Sequence, residues 1–209
     1  MLRARGMSEC PPKLRDTVVA VDEINLPAGR VSLRRLTAAD APALYEIFSH
    51  PEVMRYWSRP AMTDLNQADQ LLTEVLADYQ SGNSLPLGIE RNGDKLLVGN
   101  CTLFHFHEAS RRAEIGYALG RPHWGLGLMH EALQALLGYA FDHLALNRLE
   151  ADIDPRNTLS ARSLERLGFL KEGHLRQRWI VNSEVSDTWL YGLLRDDWFD
   201  AGRVGQPGV

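Results

Sequence analysis

Ala113-Glu114-Ile115-Gly116-Tyr117-Ala118-Leu119 runs into Gly120-Arg121-Pro122-His123-Trp124-Gly125-Leu126-Gly127 and then into Leu128-Met129-His130-Glu131-Ala132-Leu133. The stretch reads as strand, glycine turn and helix. From Met129 the apolar residues fall at Met129, Ala132, Leu133, Leu136, Leu137, Ala140, Phe141 and Leu144, the stripe of an amphipathic helix. Gly125 and Gly127 stand immediately before it. Without side chains there, an anion can settle against the first free N–H groups and the positive end of the helix dipole. The stretch predicts a phosphate-binding turn.

Downstream, Arg148 to Ile153 predicts a strand, Asp154-Pro155-Arg156-Asn157 a turn, and Ser160 to Leu167 a short helix closed by Gly168. Phe169 to Val181 and Val185 to Leu194 predict a last antiparallel pair. Upstream, Leu85 to Glu90 and Lys95 to His105 predict a hairpin around Asn92-Gly93, a pair that tight hairpin turns favour. A helix over Asn66 to Gln80 turns Leu71, Leu72, Val75, Leu76 and Tyr79 to one side. Thr37-Ala38-Ala39-Asp40 matches a capping box opening a helix to about Phe48, after a strand at Val31 to Leu36. The aromatic segment Glu52 to Trp57 reads either as core packing or as a pocket wall. The order gives a mixed α/β sheet rather than a strict βαβ series. Residues 17–198 are expected to form one domain, between a flexible arm at 1–16 and a flexible tail at 199–209.

With 209 residues and 44% of them hydrophobic, the chain can bury one sizeable core. A formal net charge of -4 argues against a general nucleic-acid binder, which needs clustered Lys and Arg. Two cysteines, Cys10 and Cys101, suit a reducing cytoplasm better than a disulfide framework. No apolar run reaches transmembrane length, so no membrane role is expected.

Three familiar motifs fail on inspection. Gly125-Leu126-Gly127-Leu128-Met129-His130 begins like a dinucleotide fingerprint but puts His130 where the third glycine belongs. His130-Glu131-Ala132-Leu133-Gln134 begins like a zinc-protease helix, with Gln134 in place of the second histidine. His105 and His107 share a strand face but lack further ligands in pattern, so no metal is expected.

The opening stretch together with Asp154-Pro155-Arg156-Asn157-Thr158-Leu159-Ser160-Ala161-Arg162-Ser163-Leu164-Glu165-Arg166-Leu167-Gly168-Phe169 resembles the acetyl-CoA-binding core of the GNAT superfamily of N-acetyltransferases. Ile115 to Leu119 followed by Trp124 to Ala132 resembles in particular the RimJ/RimL type, which acetylates N-terminal amines of ribosomal proteins. The similarity runs from about Glu23 to Trp198. It implies an α/β GNAT fold: a strongly twisted, mostly antiparallel sheet, splayed at the cofactor strands and flanked by helices. It also implies acetyl-CoA as co-substrate. The backbone of Tyr117, Ala118 and Leu119 would pair with the pantetheine arm as with an added strand. The turn from Trp124 through Gly125, Leu126, Gly127, Leu128 and Met129 would hold the diphosphate on its amides. Asn157, Ser160 and Arg162 would line the channel near the sulfur, although Asn157 and Ser160 read also as caps of the short helix. Pro122 departs from the superfamily, which often has Gln or Arg three residues before the first glycine.

Acetyl transfer needs a neutral amine, a polarised thioester carbonyl and a proton for the departing thiolate. In several GNAT enzymes a glutamate at the strand position of Glu114 deprotonates the amine, which makes Glu114 the first choice of base; a plain ion pair with Arg111 or Arg112 is the other reading. Asp152 and Asp154, on one face with Glu150, read as a solvated acidic face, an attractor of cations or a reserve base. The position of the catalytic glutamate of RimL-type enzymes, in the strand after Leu-Gly-Phe, falls on Trp179. Ser160 matches a serine proposed to assist the thiolate, with Tyr191 a second candidate. Met54 to Trp57, Trp179 and Trp189 are expected to shape the acceptor pocket. The expected partners are acetyl-CoA and a primary amine, a protein N-terminus or a small molecule such as a polyamine, amino acid or antibiotic, in a monomer or homodimer. A non-catalytic acyl-CoA sensor is the competing class.

Overall fold

The computed structural model describes residues 24–204. The expected arm at 1–16, with Cys10, lies outside them. So do residues 205–209 of the expected tail.

Eight strands form one sheet: β1 (Asn25–Ala28), β2 (Val31–Arg35), β3 (Leu85–Arg91), β4 (Leu97–His107), β5 (Arg112–Leu119), β6 (Arg148–Ile153), β7 (Leu170–Val181) and β8 (Glu184–Leu194). Their order across the sheet is β1-β2-β3-β4-β5-β6-β8-β7. Every neighbouring pair is antiparallel except β5 with β6. The helices are α1 (Ala41–Phe48), α2 (Pro51–Met54), α3 (Leu65–Ser81), α4 (Leu128–Asp142), α5 (Thr158–Arg166) and α6 (Arg195–Val204). This is the mixed α/β fold implied by the resemblance. Residues 85–89 of β3 are buried without alternation, as happens where both faces of a sheet are covered.

Local chemistry sets the helix ends. Thr37 and Asp40 close the expected capping box, and Arg34 grips the Asp40 carboxylate with two hydrogen bonds of 2.8 and 2.9 Å. Asp64 caps α3 by accepting from Asn66 N–H at 2.9 Å, and Gly82 ends it in the left-handed conformation at φ 66°.

Four features differ from the sequence reading. β1 is an additional strand, short and broken by Pro27, which weakens any alternating pattern. α2 begins at Pro51, a residue that reads as a stop but is well tolerated in a first helical turn. The β3–β4 connection is wider than a two-residue Asn-Gly turn: Arg91 N–H donates to Leu96 O, and Lys95 rather than Gly93 takes the positive φ, at 62°. Finally, α6 occupies the first part of the expected tail. Its opening Arg195-Asp196-Asp197 looks solvated, but Trp198 and Phe199 pack on the core, Trp198 with its ring 6.2 Å from Phe141.

Candidate active site

Strands β5 and β6 pair only at Arg112↔Arg148, Ala113↔Leu149 and Glu114↔Glu150. Beyond Glu114 the two strands part, while β4 still covers β5 as far as Leu119. Residues 115–119 are therefore left without a strand partner on the β6 side, as a ligand that pairs like a strand requires. A cavity of about 580 Å³ opens at this divergence. Its walls include Glu114, Gly116 and Tyr117 of β5, Asp152 of β6, Asn157 and Ser160 at the start of α5, the segment from Pro51 to Ala61, and Trp179 of β7.

The glycine turn lies at one end of β5. Trp124 ties it back to the strand by donating its indole N–H to Leu119 O at 2.7 Å. Gly125 and Gly127 adopt φ of 74° and 80°, a backbone that side chains rarely tolerate. A Cβ on Gly125 would meet nothing within 4 Å. The first intrahelical bond here runs from Glu131 N–H to Gly127 O, which leaves the amides of Leu128 to His130 unused by the helix ladder. Arg30, from the β1–β2 turn, braces the loop: its guanidinium donates to Leu126 O at 2.7 Å and pairs with Glu131 at 2.5 Å. These residues fit a diphosphate held on backbone donors, and Pro122 leaves that cradle intact. Arg30 is a contribution that the sequence does not announce, since 101 residues separate it from Glu131.

At the other end, Glu114 pairs with neither Arg111 nor Arg112. Arg112 turns to Glu150 at 2.7 Å, and Glu114 Oε1 lies 3.1 Å from His105 Nδ1. A β-bulge makes this contact: β4 slips register between Phe104 and His107, and His105 takes a φ of 51°. The bulge separates His105 from His107, which instead accepts from Ser110 N–H at 3.1 Å. No cluster of three or more metal-ligating side chains occurs among the described residues.

Across the cleft, Asn157 caps α5 by accepting from Ser160 N–H at 3.1 Å while lining the cavity. The Ser160 hydroxyl lies 2.7 Å from Tyr117 Oη. Burial pushes the Tyr117 phenol up to about 12, so it stays a proton donor at ordinary pH. This side-chain pair supplements the backbone role expected of Tyr117. Arg162 sits on the exposed side of α5, off the cavity wall. Tyr191, the second candidate acid, is buried away from the cavity and donates to Glu165 at 3.0 Å.

Asp152 accepts from Thr188 Oγ at 2.8 Å and from the Trp179 indole at 3.3 Å. Asp154 is held by Arg156, which places the carboxylate low despite its burial. The expected solvated acidic face is thus engaged by neighbours. Of the residues expected to shape the pocket, Met54, Arg55, Tyr56, Trp57 and Trp179 line it; Trp189 instead packs on the core under Lys171, whose ammonium stands 4.0 Å from its ring centroid.

A sheet opened beside a glycine turn, with a capped helix across the gap, defines a fold for CoA-dependent acyl transfer. Residues 30–170 match the model of the acetyltransferase (GNAT) domain, and the chain belongs to that family. It is an acetyl-CoA-dependent acetyltransferase. The uncharacterized N-acetyltransferase p20 of Bacillus licheniformis is 35% identical over 169 residues, 81% of this chain and 95% of that protein. The ribosomal protein uS5-alanine N-acetyltransferase of Escherichia coli is 30% identical over 121 residues, 57% of this chain and 62% of its own. The fold is shared with spermidine N-acetyltransferase from Vibrio cholerae, solved with CoA and spermine: TM-score 0.73 at 21% identity, over 81% of this chain and 98% of that one.

Proposed function

We propose that the enzyme acetylates a primary α-amine in the manner of the RimJ/RimL type, with a protein N-terminus as the reference acceptor. The observation that carries this reading is the position of Glu114, on the cavity wall where β5 and β6 part. Glu114 accepts a proton from the incoming ammonium, directly or through water, with His105 holding its carboxylate. The freed nitrogen bonds to the thioester carbon, the C–S bond breaks with its electron pair on sulfur, and the second proton that the acylated nitrogen sheds passes to the thiolate. Ser160 donates its hydroxyl toward that sulfur. Tyr117, held protonated, lies 2.7 Å from Ser160 Oγ, and in the arrangement in which the phenol donates, the serine's own hydrogen is free to point into the cavity.

Protonation energetics favour an α-amine. It titrates at roughly 7.7 to 8.0 and a lysine at roughly 10.4, so near neutrality a lysine costs about 3 kcal/mol more to deprotonate. A site built around one carboxylate base suits the easier acceptor. The name of the E. coli relative supports the same class, while that of the V. cholerae enzyme keeps polyamines in the comparison.

Thiol release from acetyl-CoA decides among them, with N-terminal peptides, N-blocked lysine peptides, polyamines and aminoglycosides as acceptors. Turnover of free N-termini is expected. Turnover restricted to lysine, polyamine or aminoglycoside would overturn the acceptor reading, and tight acetyl-CoA binding without any turnover would favour a sensor.

A further inference from the structure

The charges on the acceptor side of the cavity are not matched. Each carboxylate on its wall already has a partner: Glu114 has His105, Asp152 has Thr188, Trp179 and, at 3.8 Å, Arg178, and Asp154 and Glu184 share Arg156. Arg59 has none of that kind. Its guanidinium lies 5.0 Å from the Phe48 ring centroid and 5.8 Å from that of Trp57. No ion pair of Arg59 forms among the described residues, and Glu74 acts on it only from a distance. Burial works against its charge and holds its pKa below the usual arginine value. Arg55, on the same wall, likewise contacts only a ring, that of Tyr56 at 5.3 Å.

Aromatic faces hold a guanidinium in place without using its N–H donors. A half-buried guanidinium with its fork unspent is built to meet a planar anion, above all a carboxylate. A polycation would meet in the same cavity an arginine that no carboxylate of the described residues compensates.

Resting on the α-amine reading above, we infer that the acceptor is an α-amine that also carries a carboxylate, and that Arg59 binds that carboxylate while Glu114 receives the ammonium. Two sources share this chemistry: a free amino acid, and a peptide whose first residue is acidic. The selectivity is a matter of charge pairing across the cavity. It requires no additional catalytic group.

The test compares acceptors that differ only in that charge. Glutamate and methionine are assayed against their α-amides, and peptide amides beginning with Glu against the same peptides beginning with Gln, each by thiol release. The native enzyme should favour the carboxylate in one of these sets by at least tenfold in kcat/KM, and the set that responds names the source. In Arg59→Gln the ratio should collapse toward one through a raised KM for the acid, with the KM for acetyl-CoA unmoved; Arg59→Lys should recover part of it. Equal rates for acid and neutral forms, a preference for spermidine, or a ratio that survives Arg59→Gln would each overturn the inference. If Arg59→Gln does not fold, the native ratios alone decide. Where turnover is too slow to measure, calorimetry of the N-acetylated acid and amide products on the CoA-loaded enzyme makes the same comparison, and equal affinities refute it. Turnover of neutral α-amines without discrimination defeats only the arginine assignment. Failure of all α-amines defeats the reading beneath it.

Discussion

Replacing Tyr117 by phenylalanine removes one hydroxyl and separates architecture from catalysis. The phenol reaches from β5 to α5 and lies 2.7 Å from Ser160 Oγ. Loss of one part-buried neutral hydrogen bond costs about 1 kcal/mol, because folding exchanges it against bonds to water. For a domain of this size that lowers Tm by about 2 to 4 °C. The catalytic effect has a different origin. On the proposed mechanism, the phenol orients the Ser160 hydroxyl, and its removal leaves that hydroxyl without the contact. A misdirected donor worth about 1.4 kcal/mol in the transition state lowers kcat about tenfold. Steady-state thiol release, normalised to the folded fraction, should show this drop with little change in the KM for acetyl-CoA. Ser160→Ala should fall at least as far, and Tyr117→Phe in that background should add little, since the phenol acts through the serine. A kcat within twofold of native, alongside the lower Tm, would mean that the pair only ties strand to helix, and the assigned role of Tyr117 would be wrong.

Glu114→Gln should lower kcat by about 100-fold, within the usual range for a general base, while acetyl-CoA still raises Tm; unchanged turnover would move the base to another group, Asp152 first. Gly125→Ala should lose about 1 to 2 kcal/mol from the left-handed backbone at φ 74°, and at least tenfold in acetyl-CoA affinity by calorimetry; normal affinity would detach the turn from the phosphate. Burial alone would raise the Asp40 carboxyl, but hydrogen bonds from Arg34 and Thr37 outweigh it and hold the group below its ordinary value. A carboxyl depressed in the folded state stabilises fully above its unfolded value of about 3.9 and loses that contribution as pH falls through the lower folded value. Asp40→Asn should therefore cost about 2 kcal/mol at pH 7, since Arg34 keeps Glu90, and the gap from native should close below pH 4 in urea titrations. Cys101, fully buried with its thiol pushed up to about 12, should resist thiol reagents until the protein unfolds, and rapid labelling of the folded enzyme would contradict its place in the core.

What could be read from the chain before folding, and what could not, follows from how far each signal extends. The capping box at Thr37, the stripe of α4 and the glycine turn before it are rules of neighbouring residues, and each appears in the structure where it was expected. β1, α2 and α6 escaped because each is short or polar and owes its existence to what it docks on. Pro27 sits in a four-residue strand that β2 holds in register, and α6 is anchored by two aromatic rings on the core. The bulge at His105 is a matter of register between strands, and nothing within Phe104 to His107 announces it.

The same distinction explains why the two ends of the active site differ so much in legibility. The end proposed for acetyl-CoA is built from backbone: amides at the start of α4, two glycines with positive φ, and a strand freed when β5 leaves β6. Backbone geometry of that kind demands particular residues in a contiguous run, so the run can be recognised. The acceptor end is built from side chains on α2 and the loop after it, on the β4 bulge, on β6 and on β7, brought together only by the fold. No spacing rule links Arg59 to Glu114, and each taken alone reads as an ordinary charged residue. Their juxtaposition on the lining of one cavity, a guanidinium without an ion pair among the described residues and the carboxylate proposed as base, exists only in three dimensions. An acceptor that spans them is therefore specified by charges that the turn at Gly125 cannot encode.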